Sequence, residues 1–106
     1  MEAQERATRP IACTLGATDF AARAERWRRL GARAALERVE TPQGLRVRFR
    51  GEPGVEDDLR ELVALERTCC AFADWSVAVA DGEVALEISA GAEAVPVVQG
   101  MFAGLL

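Results

Sequence analysis

Four residue types are missing from this chain of 106 residues: lysine, histidine, asparagine and tyrosine. Without histidine there is no Ser-His or Cys-His catalytic pair, no imidazole general base and no imidazole metal ligand. The 13 basic residues are therefore all arginine, a uniformity that reads as codon bias of a GC-rich bacterial genome and carries little functional weight. Cysteine is scarce too, at three. An odd number in a reducing compartment argues against a disulfide framework and turns attention to thiols that react or bind metal. No window approaches the ~18 consecutive apolar residues of a membrane span, and Met1–Arg9 is polar, without the apolar stretch of a signal peptide. A net charge of −4 argues against the basic face of a general nucleic-acid or anionic-membrane binder. These absences leave a cytoplasmic protein as the reading, with neither nucleic acid nor membrane as partner.

What is present is apolar. Half the residues are hydrophobic, enough for a real core and, at this length, for one domain. A polar tail over 1–9 precedes a single domain over 10–106. Pro10–Leu15 (PIACTL) reads as a short strand in which Ile11, Cys13 and Leu15 share a face. Thr18 and Asp19 cap a helix with Phe20, Ala24, Trp27 and Leu30 on its apolar stripe, Arg23, Arg26 and Arg29 turned outward, and Gly31 as C-cap. Strands over 35–41 and 45–50 flank Pro42-Gln43-Gly44. In the second, Leu45, Val47 and Phe49 face one way and Arg46, Arg48 and Arg50 the other, where Glu37 and Glu40 supply opposite charges. Glu52-Pro53-Gly54 opens a helix over 55–72, with Glu56, Asp57 and Asp58 in the first turn, where the macrodipole favours them. Strands over 75–80 and 83–89 form a hairpin around Asp81-Gly82, a type I′ turn signal. A last helix over 92–105 aligns Val95, Val98, Phe102 and Leu105, with Pro96 in its first turn.

The order β-α-β-β-α-β-β-α predicts an α+β fold: a two-layer sandwich with helices on one face of a mainly antiparallel sheet, built on a ferredoxin-like core. On the other face Ala78, Ala80, Ala85 and Ser89 are small, a surface that suits homodimer packing.

The sharpest feature is Leu65–Phe72 (LERTCCAF), at the end of the 55–72 helix. At about 100° per residue, Glu66 falls about 20° from Val55, between Leu59 and Leu62, in the middle of the apolar stripe. Cys69 and Cys70 flank it one turn later. A carboxylate in that position is expensive unless something pairs with it or it keeps a proton. Cys13 adds a third thiol on the inward face of the first strand. Three converging thiols and a carboxylate suit a thiophilic ion. Zn(II) takes a fourth ligand, from Glu66 or water, whereas Hg(II) and arsenite need two or three sulfurs. Phe72 and Trp75 can wall a pocket beside them. The plainer readings are cysteines that fill the core, Phe72 and Trp75 as core aromatics, and a structural ion pair between Glu66 and an arginine. A vicinal disulfide is disfavoured while both cysteines are helical, because their side chains then diverge by about 100°.

Five stretches spread over nearly the whole chain, Ile11–Leu15 (IACTL), Arg23–Trp27 (RAERW), Gly44–Phe49 (GLRVRF), Leu62–Phe72 (LVALERTCCAF) and Val84–Ile88 (VALEI), resemble small bacterial proteins with a C-T-L start and an E-x-x-C-C-x-F motif. Similar stretches accompany metal-responsive regulators of the mercury-resistance type. The resemblance implies a thiophilic-metal context, with Cys13, Glu66, Cys69, Cys70 and Phe72 at the matching positions, and names no reaction. The leading expectation is a small binding module for a soft metal or metalloid ion, such as Hg(II), Cu(I) or Zn(II). Cys13, Cys69 and Cys70 are its thiolate ligands, and Glu66 an auxiliary ligand or proton acceptor. Two rivals stand beside it. One is a thiol-dependent enzyme using Glu66 as acid or base for organometal cleavage or redox chemistry; the other is a non-catalytic dimeric interaction protein with core cysteines.

Overall fold

Strand 44–50 shows most simply how this sequence makes a sheet. With a side-chain period of two, Leu45, Val47 and Phe49 go to one face and the arginines to the other, and those three apolar side chains are fully buried. The computed structural model describes residues 17–104. Their order is α1 (Ala17–Ala34), β1 (Ala35–Thr41), β2 (Gly44–Arg50), α2 (Val55–Cys69), β3 (Ala73–Ala80), β4 (Glu83–Ala90), a 3-10 turn (Ala92–Ala94) and α3 (Val95–Met101). The polar tail over 1–9, the expected strand over 10–15 with Cys13, and Leu105 lie outside the described residues.

The four described strands form one antiparallel sheet in the order β1-β2-β4-β3. The chain is thus α+β, with helices laid over the apolar sheet face. A ferredoxin-like order would put the 10–15 strand between β2 and β3, and in the described sheet β4 lies there. The β3–β4 hairpin accounts for one neighbour of β4, and its pairing with β2 for the other. Asp81 and Gly82 both have positive φ, 53° and 75°, as a type I′ turn requires, and they fold β4 straight back on β3. The apolar face of β4 then serves both neighbours: Leu86 lies opposite Val47 on one side and Val77 on the other, and Ile88 opposite Leu45 and Trp75. On the outer face Arg48 meets Glu37 at 3.1 Å and Glu83 at 2.8 Å, and Arg46 meets Glu87 at 2.9 Å. Glu83 and Glu37 hold the Arg48 guanidinium still further into its charged range. Glu40, expected in this ladder, pairs instead with Arg38 along its own strand, at 3.6 Å.

All three helices differ in their boundaries from the sequence pattern, and Thr18 and Asp19, expected as caps, lie within α1. Helix α1 runs through Gly31 to Ala34, so Gly31 is not its C-cap. Leu30 and Ala34 are both buried and extend the stripe begun by Trp27, which offsets the ~1 kcal/mol that a mid-helix glycine costs. At the other end of the same stripe Phe20 is 55% exposed. Helix α2 stops at Cys69 rather than 72. The last helical segment begins as a 3-10 turn and ends at Met101, with Val98 and Phe102 buried as expected. The ion pairs Arg23–Glu66, Arg26–Glu61 and Arg33–Asp58 step in opposite directions along α1 and α2, so the two helices pack antiparallel.

At Gly44 the backbones of β2 and β4 leave no room for a side chain: a Cβ there would collide with the backbone carbonyl oxygen of Ile88 in β4. Gly100, in α3, would meet nothing within 4 Å. Gly44→Ala is expected to lower unfolding free energy in urea by about 1–3 kcal/mol, and Gly100→Ala to raise it by about 0.5–1 kcal/mol. A Gly44→Ala protein as stable as the parent would mean that the strands do not approach so closely.

Candidate metal centre

The buried side of α2 carries Val55, Leu59, Leu62, Val63, Glu66 and Cys69. Among the described residues Glu66 is the one charged side chain in the buried class, 4% exposed. A carboxylate there needs partners, and it has them on both oxygens. On Oε2, the Trp27 indole Nε1–H donates at 2.7 Å and the Arg23 guanidinium stands at 3.4 Å. Both come from α1. Arg23 was expected to turn outward; it lies four residues before Trp27, hence on the same helix face, and its side chain is largely buried. Phe102 braces Trp27 from below, its ring edge-on with centroids 5.0 Å apart, and meets Trp75 in the same manner at 5.9 Å.

The other oxygen faces sulfur. Cys69 donates its thiol hydrogen to Glu66 Oε1 at 3.2 Å, and Cys70 lies 3.7 Å from the same atom. The two sulfurs are 3.3 Å apart, well beyond the ~2.05 Å of a disulfide bond. This closeness corrects the expectation that the side chains diverge on a common helix. Cys70 has left the helical backbone, at φ −121° and ψ 61°, although its N–H still closes the last turn on the Glu66 carbonyl at 2.6 Å. The turn brings its sulfur round to the side of Cys69. Glu66, Cys69 and Cys70 are all buried, and their ligand atoms lie within 4.8 Å of one another, a spacing that can hold a metal ion.

Cys13 lies outside the described residues. Phe72 and Trp75 are each 5% exposed and belong to the hydrophobic core. Trp75 also lines an open hollow of about 320 Å³ with Thr41, Asp74, Ser76 and Glu87. Its carbonyl accepts a hydrogen bond from Arg67 at 2.6 Å, which ties the last turn of α2 to β3. The sequence pattern misses Arg23 and the donor role of Trp27. A signal for both was available: a buried indole N–H seeks an acceptor, and the carboxylate in the α2 stripe is the natural one.

Comparison of the chain with protein-family models, with curated proteins and with solved structures finds no match in any of the three. The chemistry of the site is then what bears on function. One carboxylate oxygen is anchored, and the other is shared by two thiols.

Hydrogen bonds to ionised groups are worth about 1.5–3 kcal/mol. Trp27→Phe keeps an aromatic ring against Phe102 but removes the N–H and leaves a cavity where the fused ring was, so a loss of at least that size is expected in denaturant unfolding. Combined with Glu66→Gln, the two changes should be non-additive by at least ~0.5 kcal/mol. Additive costs would mean that indole and carboxylate do not act together.

Proposed function

We propose that the chain is a small binding module for a soft metal or metalloid ion, held by Cys69 and Cys70 with Glu66 Oε1 beside them and Cys13 as a further thiolate. The observation that carries this reading is the burial of a carboxylate oxygen and two sulfurs within 4.8 Å. Thiolates select soft species over hard cations. An apolar side chain at position 66 would be the cheaper choice for stability alone, because a buried ion pair seldom repays its desolvation. The resemblance of the Glu66–Phe72 segment to stretches that accompany mercury-resistance-type regulators agrees with this assignment, and Hg(II), Cu(I) and Zn(II) are the first ions to test.

The hydrogen bond from the Cys69 thiol to Glu66 supports a second reading, thiol-dependent catalysis with Glu66 as proton acceptor and donor. Glu66→Gln separates the two: a binder loses some affinity, whereas an enzyme loses turnover and still binds.

Titration of the fully reduced protein with Hg(II), Cu(I) or Zn(II) should produce sulfur-to-metal charge-transfer absorption that disappears in Cys69→Ser. Because the metal displaces thiol protons, affinity should rise with pH until the thiols are ionised. Absence of binding for all three ions and for arsenite would remove the proposal.

A further inference from the structure

The distance between the two sulfurs restricts what they can hold. With metal–sulfur bonds of about 2.3 Å, sulfurs 3.3 Å apart subtend an angle of about 90° at the bound atom. A linear two-sulfur complex would need about 4.6 Å between them, and a tetrahedral one about 3.8 Å, at that bond length. Room to spread is scarce. Cys69 and Cys70 are 4% and 1% exposed within the hydrophobic core, and the Cys70 backbone is tied to the Glu66 carbonyl. Opening the pair toward linearity therefore works against close packing.

We propose that Cys69 and Cys70 form a vicinal dithiol for trivalent arsenic, as arsenous acid or a singly substituted organoarsenical; this rests on the soft-ion reading above and narrows it. The lone pair on trivalent arsenic compresses its three bonds toward right angles, so it fits sulfurs that are already close. Arsenous acid is also uncharged at neutral pH, which lowers the cost of entering a buried site relative to a hydrated dication.

The chemistry is condensation, without electron transfer. Two arsenic–oxygen bonds break and two arsenic–sulfur bonds form. The two thiol protons leave with the two hydroxides as water, and the third arsenic bond keeps its hydroxyl or carbon substituent. Glu66 Oε1, 3.2 Å and 3.7 Å from the sulfurs, takes each proton in turn and returns it to the departing hydroxide, so it finishes in the state in which it started. Its other oxygen stays fixed by Trp27 and Arg23 throughout. Below the range of thiol ionisation this binding releases no net protons, in contrast to a metal cation, which displaces them.

The test uses the full reduced chain with phenylarsine oxide, arsenite, Hg(II) and Zn(II) in parallel, read by native mass spectrometry and by proton release to a pH indicator. The expected result is one phenylarsenic per chain, formed without proton release, stable in a large excess of a monothiol such as glutathione and removed by a small 1,2-dithiol. The adduct is lost in Cys69→Ser and in Cys70→Ser and kept in Cys13→Ser; in Glu66→Gln it forms more slowly with the same stoichiometry. If Hg(II) or Zn(II) binds and the arsenicals are stripped by monothiol, the arsenic inference fails and the soft-ion reading stands. If nothing binds, both fail. Loss of the adduct in Cys13→Ser with retention in Cys70→Ser overturns the vicinal pair. Should Cys69→Ser or Cys70→Ser not fold, a monothiol-resistant adduct on Cys13→Ser, whose only thiols are Cys69 and Cys70, establishes the vicinal pair, and its absence there overturns it.

Discussion

A carboxylate placed among leucines and valines has to be paid for by specific partners, and in this protein two side chains of α1 supply them. The Trp27 indole and the Arg23 guanidinium converge on a single oxygen of Glu66. The consequence is an asymmetric group. One oxygen is occupied and oriented, so the other is aimed, with its remaining capacity to accept hydrogen bonds turned toward Cys69 and Cys70. In the low-dielectric interior such aimed contacts are stronger than at the surface. The antiparallel packing of α1 on α2 is the architecture that makes the aiming hold.

The second contribution comes from where α2 ends. Had the helix continued, the two adjacent sulfurs would point about 100° apart. Departure of a single residue, Cys70, from helical dihedrals turns its sulfur toward that of Cys69 while the last backbone hydrogen bond survives. The chain then passes into β3 at Ala73, with Arg67 reaching across to the Trp75 carbonyl. The same junction therefore shapes the thiol pair and fastens the helix to the sheet.

Much of this was legible in the sequence, for identifiable reasons. Period-two alternation in 45–50 and 83–89 fixes which residues face the core, and Asp81-Gly82 dictates a hairpin because few other dipeptides tolerate two positive φ angles. Helical periodicity alone places Glu66 in an apolar stripe beside both cysteines. The strand order was not legible, since the apolar face of β4 is equally suited to either neighbour and only the tight turn and the full sheet decide. Arg23 was misplaced because arginines recurring at 23, 26 and 29 look like a solvated face, although position 23 shares its side of the helix with Trp27. The bend at Cys70 leaves no mark in composition: Leu65–Phe72 carries neither glycine nor proline, and helix boundaries respond to tertiary contacts that local pattern does not encode.

Phe102 stands between Trp27 and Trp75, at the end of a helix only seven residues long. A segment that short has no autonomous stability in water and persists only while docked. It is latched at two levels: Gln99 donates to the carbonyls of Thr41 and Gly44 on either side of the β1–β2 turn, and Phe102 wedges the two indoles. Residues 75 positions apart in the sequence thus meet over one carboxylate. A product that stops before residue 95 would retain Glu66, Cys69 and Cys70 yet lack the wedge that keeps the indole in place.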